Sequence, residues 1–106
     1  MSDVVDRVLL ALNAHDLDAF IACYADNATI ENGHDKVFVR GSDELRSRYG
    51  PMFEQMPEVR VEAVTRTDVG EFVVQEEVVT GRGEPERHVA VYLVQNDRIQ
   101  RERLLK

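Results

Sequence analysis

Nothing in this chain of 106 residues can cross-link it internally, because Cys23 is its one cysteine. No apolar run approaches the ~20 residues that a membrane span needs. The N-terminus lacks the basic segment and long apolar block of a secretory leader. A cytoplasmic location is therefore expected, with no membrane partner. Cations are scarce: 13 Lys and Arg stand against 20 Asp and Glu, a net charge of −7. No basic cluster stands apart from acidic neighbours. Phosphate contacts dominate nucleic-acid affinity, so nucleic acid is not an expected partner. There is no repeat, low-complexity tract or linker, and one domain over residues 1–106 is expected. No glycine-rich phosphate loop appears, nor a local Ser-His-Asp or Cys-His-Asn signature. No cofactor is expected.

What is present is enough apolar material for one core, 43% of the residues. Helical spacing comes first and strand alternation afterwards, which predicts an α+β domain. Val4, Val5, Val8, Leu9 and Leu12 recur on one helical face, and this helix should stop near Asn13–His15. Asp16 caps a second helix with Leu17, Phe20, Ile21 and Tyr24 as its stripe, ending at Asn27. "ATIEN" (Ala28 to Asn32) reads as a strand, "NGHD" as a turn and "KVFVRG" as a second short strand. Ser42 is the expected cap of a third helix carrying Leu45, Tyr49, Met52, Phe53 and Met56. Pro51 should kink it or divide it in two. "EVRVEAVTRT", "EFVVQEEVVTG", "ERHVAVYLVQ" and "RIQRERLL" then predict an antiparallel meander, with a turn at Asn96-Asp97.

The order of these elements, and above all "ALNAHDLDAFIACYADNATIEN" followed by "GSDELRSRY", resembles the nuclear transport factor 2-like superfamily. Within it the chain is similar to the SnoaL-like polyketide cyclase and ketosteroid isomerase group. The resemblance covers nearly the whole chain and is densest from Arg7 to Tyr49. It implies a cone-shaped α+β barrel, three N-terminal helices packed on a strongly curved, mostly antiparallel sheet, with a pocket between them. It also implies a homodimer through the sheets. The fold hosts isomerases, dehydratases, hydrolases, cyclases and non-catalytic modules, so it does not define a reaction.

Ketosteroid isomerases place a carboxylate base at the end of the first strand, a tyrosine in the first helix and a protonated acid on a late strand. A carboxylate takes a proton beside a carbonyl while the two donors stabilise the oxygen. In this chain those positions fall on Asn32, Val8 and Ala90, and neither Val89 nor Val91 supplies the acid instead. Only a supporting tyrosine of the family matches, at Tyr49. Ordinary ketosteroid isomerase chemistry is therefore not expected.

The register implied by the resemblance turns Val73, Gln75, Glu77 and Val79 inward, with His88, Ala90 and Tyr92 on the next strand and Gln100 and Glu102 on the last. A slip of one residue would turn Arg101 and Arg103 inward instead. Glu77 and His88 are the candidate catalytic pair, since a neighbouring carboxylate stabilises an imidazolium. The plain alternative is an ordinary cross-strand pair. Tyr24, Asn32, Tyr49, Phe53, Tyr92 and Glu102 are the candidate ligand-pocket residues, although aromatics at such spacing also serve as core. Glu31, His34 and Asp35 form a weak ligand cluster better read as a polar turn, and no metal site is expected. His15 reads as a helix-end residue and Cys23 as buried and inert.

Strands such as "FVVQEEVV" carry apolar residues on both faces, and a small cone buries only one. The other face is expected to meet a second copy. Three functions fit: an isomerase, cyclase, dehydratase or hydrolase acting on a small apolar or amphipathic molecule; a non-catalytic carrier or sensor; or a dimerisation module with a filled pocket. An open cavity with two or more convergent ionisable groups would favour the first.

Overall fold

The computed structural model describes residues 3–34 and 36–106. Helix α1 spans Val4–Asn13, with the Asp3 carboxylate accepting from the amides of Val5 and Asp6. Helix α2 spans Leu17–Ala22, and Asp16 caps it by accepting from Ala19 N at 3.1 Å. Strands β1 (Tyr24–Asn32) and β2 (Val37–Arg40) precede helix α3 (Gly41–Gln55). Four long strands follow: β3 (Arg60–Val69), β4 (Phe72–Thr80), β5 (Glu86–Gln95) and β6 (Arg98–Leu105).

The six strands form one sheet in the order β2-β1-β6-β5-β4-β3. All neighbours are antiparallel except β1 and β6, which run parallel. The expected meander is β3 to β6. Asn96 and Asp97 both adopt positive φ in the last hairpin, the conformation a two-residue turn with strand-like twist demands. The α+β cone is as expected, but its sheet does not close. β2 and β3 remain edges, and helices cover the space between them. Helix α1 packs on β3 and β6, while α2 and α3 pack on β1 and α3 also on β2. At the β3 edge the Asn13 side chain stands in for a missing strand. It accepts from Val61 N at 2.7 Å and donates to Val61 O at 2.9 Å.

Three local expectations need correction. Tyr24 to Asn27 do not finish the second helix. That helix stops at Ala22, and Tyr24 already pairs with Ile99 on β6. Ile99 N donates to Cys23 O at 2.8 Å, a partner 76 residues away that helical spacing does not reveal. Helix α3 is not divided by Pro51 but runs through it. Proline removes one amide, whose acceptor would be the carbonyl of Ser47, an exposed residue that water can serve. Finally, Arg40 rather than Ser42 precedes α3, and the Glu44 carboxylate accepts from Arg40 N at 2.8 Å.

Candidate functional site

The concave face of the sheet and the three helices enclose a cavity of about 100 Å³. Its walls are mostly apolar, with Val8, Leu9 and Leu12 from α1, Phe20 from α2 and Met52 from α3. Polar groups converge on it, Tyr24, Glu77, His88, Tyr92 and Glu102 from the sheet and Tyr49 from α3. Strand periodicity explains the grouping. In β4 the buried residues are Val73, Gln75, Glu77 and Val79, every second position. Register sets Glu77 opposite His88 and Tyr92 opposite Glu102. Glu102 lies inward, so the register with Arg101 and Arg103 inward does not occur. Gln100 does not join it: β6 carries one extra residue between the Leu93–Arg101 and Val94–Ile99 pairs, and Ile99 is the buried residue there.

Glu77 is only 2% exposed, and three donors satisfy it. His88 Nε2 lies 2.8 Å from Oε1, while the Tyr92 hydroxyl and Gln75 Nε2 each donate to Oε2 at 2.7 Å. Burial pushes its carboxyl up, but these hydrogen bonds, that of His88 first, outweigh burial and hold it below the usual value. Glu102 is served less well. The Tyr24 hydroxyl donates to it at 2.5 Å. Burial dominates, Glu77 adds to it, and the carboxyl is pushed up from 4.5 to about 7. Burial and the nearby carboxylate also raise Tyr24 and Tyr92 well above the usual phenol range. Tyr49 is raised for the same reasons, and its hydroxyl makes no hydrogen bond to the described residues. One cavity thus contains an ionised carboxylate and a second carboxyl balanced between its two forms at neutral pH. Such an arrangement can give and take protons on a small ligand.

The structure brings together Glu77, His88, Tyr24, Tyr49, Tyr92 and Glu102 but leaves two expected pocket residues elsewhere. Asn32 turns away from the cavity, and its Oδ1 accepts from His34 N at 2.9 Å and Lys36 N at 3.2 Å. An amide at the end of a strand is well suited to this turn. Phe53 packs behind the wall, stacked on His15 at 5.6 Å and edge-on to Phe20 at 5.5 Å. His15 does more than face a helix dipole, since its Nε2 lies 3.0 Å from Val59 O. Asp35 lies outside the described residues. Glu31 engages Arg103 at 3.0 Å, and no group of three or more metal-ligating side chains occurs among the described residues. Sequence reading missed Arg82 and Lys106, which also line the cavity. Arg82 sits in a turn between two glycines and Lys106 lies past the last strand, so no periodicity pointed to either.

The fold and the arrangement of this cavity identify a class, and sequence comparison agrees with it. The chain belongs to the SnoaL-like domain family, whose pattern it matches over residues 5–102. Among solved structures it is similar to an uncharacterized cystatin-fold protein of Novosphingobium aromaticivorans, at 27% identity and a TM-score of 0.89 over 97% of this chain and 95% of that one. A candidate polyketide cyclase of Sinorhizobium meliloti shares 20% identity with a TM-score of 0.84 over 98% and 94% of the two chains. A ketosteroid isomerase-like protein of Catenulispora acidiphila, in complex with trimethylamine, shares 14% identity with a TM-score of 0.77 over 98% and 85%. No curated protein matches the sequence. Among the described residues, no helix is long and apolar enough to cross a membrane.

Proposed function

We propose that this chain is a cofactor-independent proton-transfer enzyme of the isomerase or cyclase kind, acting on a small, largely apolar carbonyl compound. The observation that carries this reading is a pair of buried carboxyls in one cavity, Glu77 served by three donors and Glu102 by one, which holds the first below its ordinary pKa and pushes the second up to about 7. Glu102 and His88 are the groups that exchange protons with the ligand. Glu77 is the positioning residue, because its two oxygens are already engaged by His88, Tyr92 and Gln75. Tyr49, with its unengaged hydroxyl, is the donor to a developing oxyanion. Mass spectrometry of molecules retained by the native protein supplies the ligand. In D2O the protein should then exchange a carbon-bound hydrogen of that ligand for deuterium, and Glu102→Gln should slow exchange by about 10²-fold or more. A bound carbonyl ligand with no exchange above background would sink the reading.

A second reading, a non-catalytic carrier, is favoured by one observation. Two positions that hold proton donors in ketosteroid isomerases are Val8 on the cavity wall and Ala90, fully buried. Retained ligand without deuterium exchange is the result this reading expects.

We also propose a homodimer through the outer face of the sheet. Val74, Val78, Val89, Val91 and Leu93 alternate with the inward residues of β4 and β5 and stay only half-buried in the single chain. A surface of this kind is favourable to cover. Light scattering at micromolar concentration should give twice the chain mass of 12.1 kDa, and a monomeric mass would refute the pairing.

A further inference from the structure

A second concavity adjoins the cavity. It is an open groove of about 740 Å³ between the β1–β2 turn, α3 and the end of β6. Leu104 and Lys106 line both spaces. The groove is basic in an acidic protein. The chain has only two lysines, Lys36 and Lys106, and both line it, together with Arg48 and His34. No described residue lining it is acidic. Several arginines elsewhere are committed to carboxylates: Arg66 to Asp3, Asp6 and Asp68, Arg87 to Glu76, and Arg82 to Glu86. Lys36, Arg48 and Lys106 form no ion pair with the described residues, although Lys106 acts on Glu86 at longer range.

The Arg48 side chain and the backbone that carries Lys36 are held in place. The Arg48 guanidinium lies over the Phe38 ring, 4.9 Å from its centroid. The turn that carries Lys36 is fastened by Asn32, through the amides of His34 and Lys36. It also packs closely on β6, since a Cβ at Gly33 would come within 3.1 Å of Leu105. Asn32, where related isomerases place a base, here builds the groove.

We propose that the ligand of the cavity is an amphipathic anion. Its apolar part, with the reacting group, enters toward Glu102, and a carboxylate or phosphate head rests on Lys36, Arg48 and Lys106. Glu102, Leu104 and Lys106 follow one another at every second residue, so the head and the reacting group stand about 13 Å apart. This length corresponds to a medium-chain acyl compound. Charge also makes sense of the placement: three cations that form no ion pair among the described residues, beside a largely apolar cavity, concentrate anions that a net charge of −7 would otherwise repel. The inference rests on the cavity being the ligand site but not on turnover.

The test is calorimetric titration of the full chain with octanoate, octyl phosphate and 1-octanol at low and high salt, with amide NMR shifts to locate each probe. At least one anion should bind about tenfold or more tightly than 1-octanol at low salt and weaken as salt rises. Its shifts should include both Lys36 and Tyr92. The charge reversal Lys36→Glu/Arg48→Glu should reduce anion affinity about tenfold and leave 1-octanol unchanged. Both side chains are exposed, and near-UV circular dichroism checks the fold; Lys36→Gln/Arg48→Gln is the milder form, with a smaller loss. Preference for octyl phosphate or for octanoate tells which head the groove takes. Equal binding of anion and alcohol, indifference to the reversal, shifts confined to the groove, or no anion binding at millimolar concentration would each overturn the proposal. Anion binding without deuterium exchange would leave it standing and count against the catalytic reading alone.

Discussion

Glu77→Ala is expected to lower the unfolding free energy by about 3–5 kcal/mol, the cost typical of removing one partner from a buried charged network. The size follows from what is left behind. His88 Nε2, the Tyr92 hydroxyl and Gln75 Nε2 all lose their acceptor in the largely buried wall of the cavity. Gln75 already has one buried atom without a partner, Oε1, so it has no second bond to fall back on. An unsatisfied buried donor costs about 1–3 kcal/mol, which makes three of them comparable with the whole effect. Glu77→Gln keeps the shape and one acceptor, and it should cost less than half as much. Urea unfolding at pH 7 measures both. Nearly equal losses for the two variants would mean that packing, not hydrogen bonding, gives Glu77 its weight.

Glu102 predicts an effect of opposite sign on pH. Its carboxyl is raised from 4.5 to about 7 in the folded chain. Between those values the folded form holds a proton that the unfolded chain has released. Stability therefore falls as pH rises through this window, by up to about 3 kcal/mol. Glu77, held below its ordinary value, behaves in the reverse way. Its contribution is complete above the ordinary carboxylate value and is lost on acidification through its folded value. Glu102→Gln cannot ionise, yet its amide oxygen can accept from Tyr24. It should flatten the decline between pH 4.5 and 7 and be more stable than the parent at pH 8 by about 1–3 kcal/mol. Unfolding curves at pH 5 and pH 8 for both proteins test this. A parent slope that persists in the variant would remove Glu102 as its source.

The two carboxylates differ because of their neighbours, not their strands. Both are inward-facing and at most 6% exposed. Three donors around Glu77 compensate for lost water, and one donor at Glu102 does not. The resemblance to ketosteroid isomerases puts their two carboxyls where this chain has Asn32 and Ala90. Its proton chemistry, if the deuterium experiment supports it, has moved within the same cone.

Much of this was legible along the chain. The family resemblance supplied the register of "EFVVQEEVVTG" and "ERHVAVYLVQ", and the two-residue repeat of a strand then put Glu77, His88 and Tyr92 on the inward face, with a slip of one residue left open. Helical spacing from Val4 to Leu12 defined the wall opposite. Net charge and the single cysteine were fixed along the chain, since these are sums that folding does not change. Three-dimensional structure alone decided the rest. Tyr24 became the first residue of a parallel strand because its partners lie on β6, far away in sequence. Asn32 turned to its own loop, and Phe53 moved behind Phe20 to stack on His15. The Glu102 carboxyl was pushed up only when folding buried it in the cavity beside Glu77. A basic groove arose from two lysines 70 positions apart. Periodicity tells a side chain which face to occupy, while its neighbours across that face, and so its dielectric surroundings and its protons, depend on contacts between distant segments.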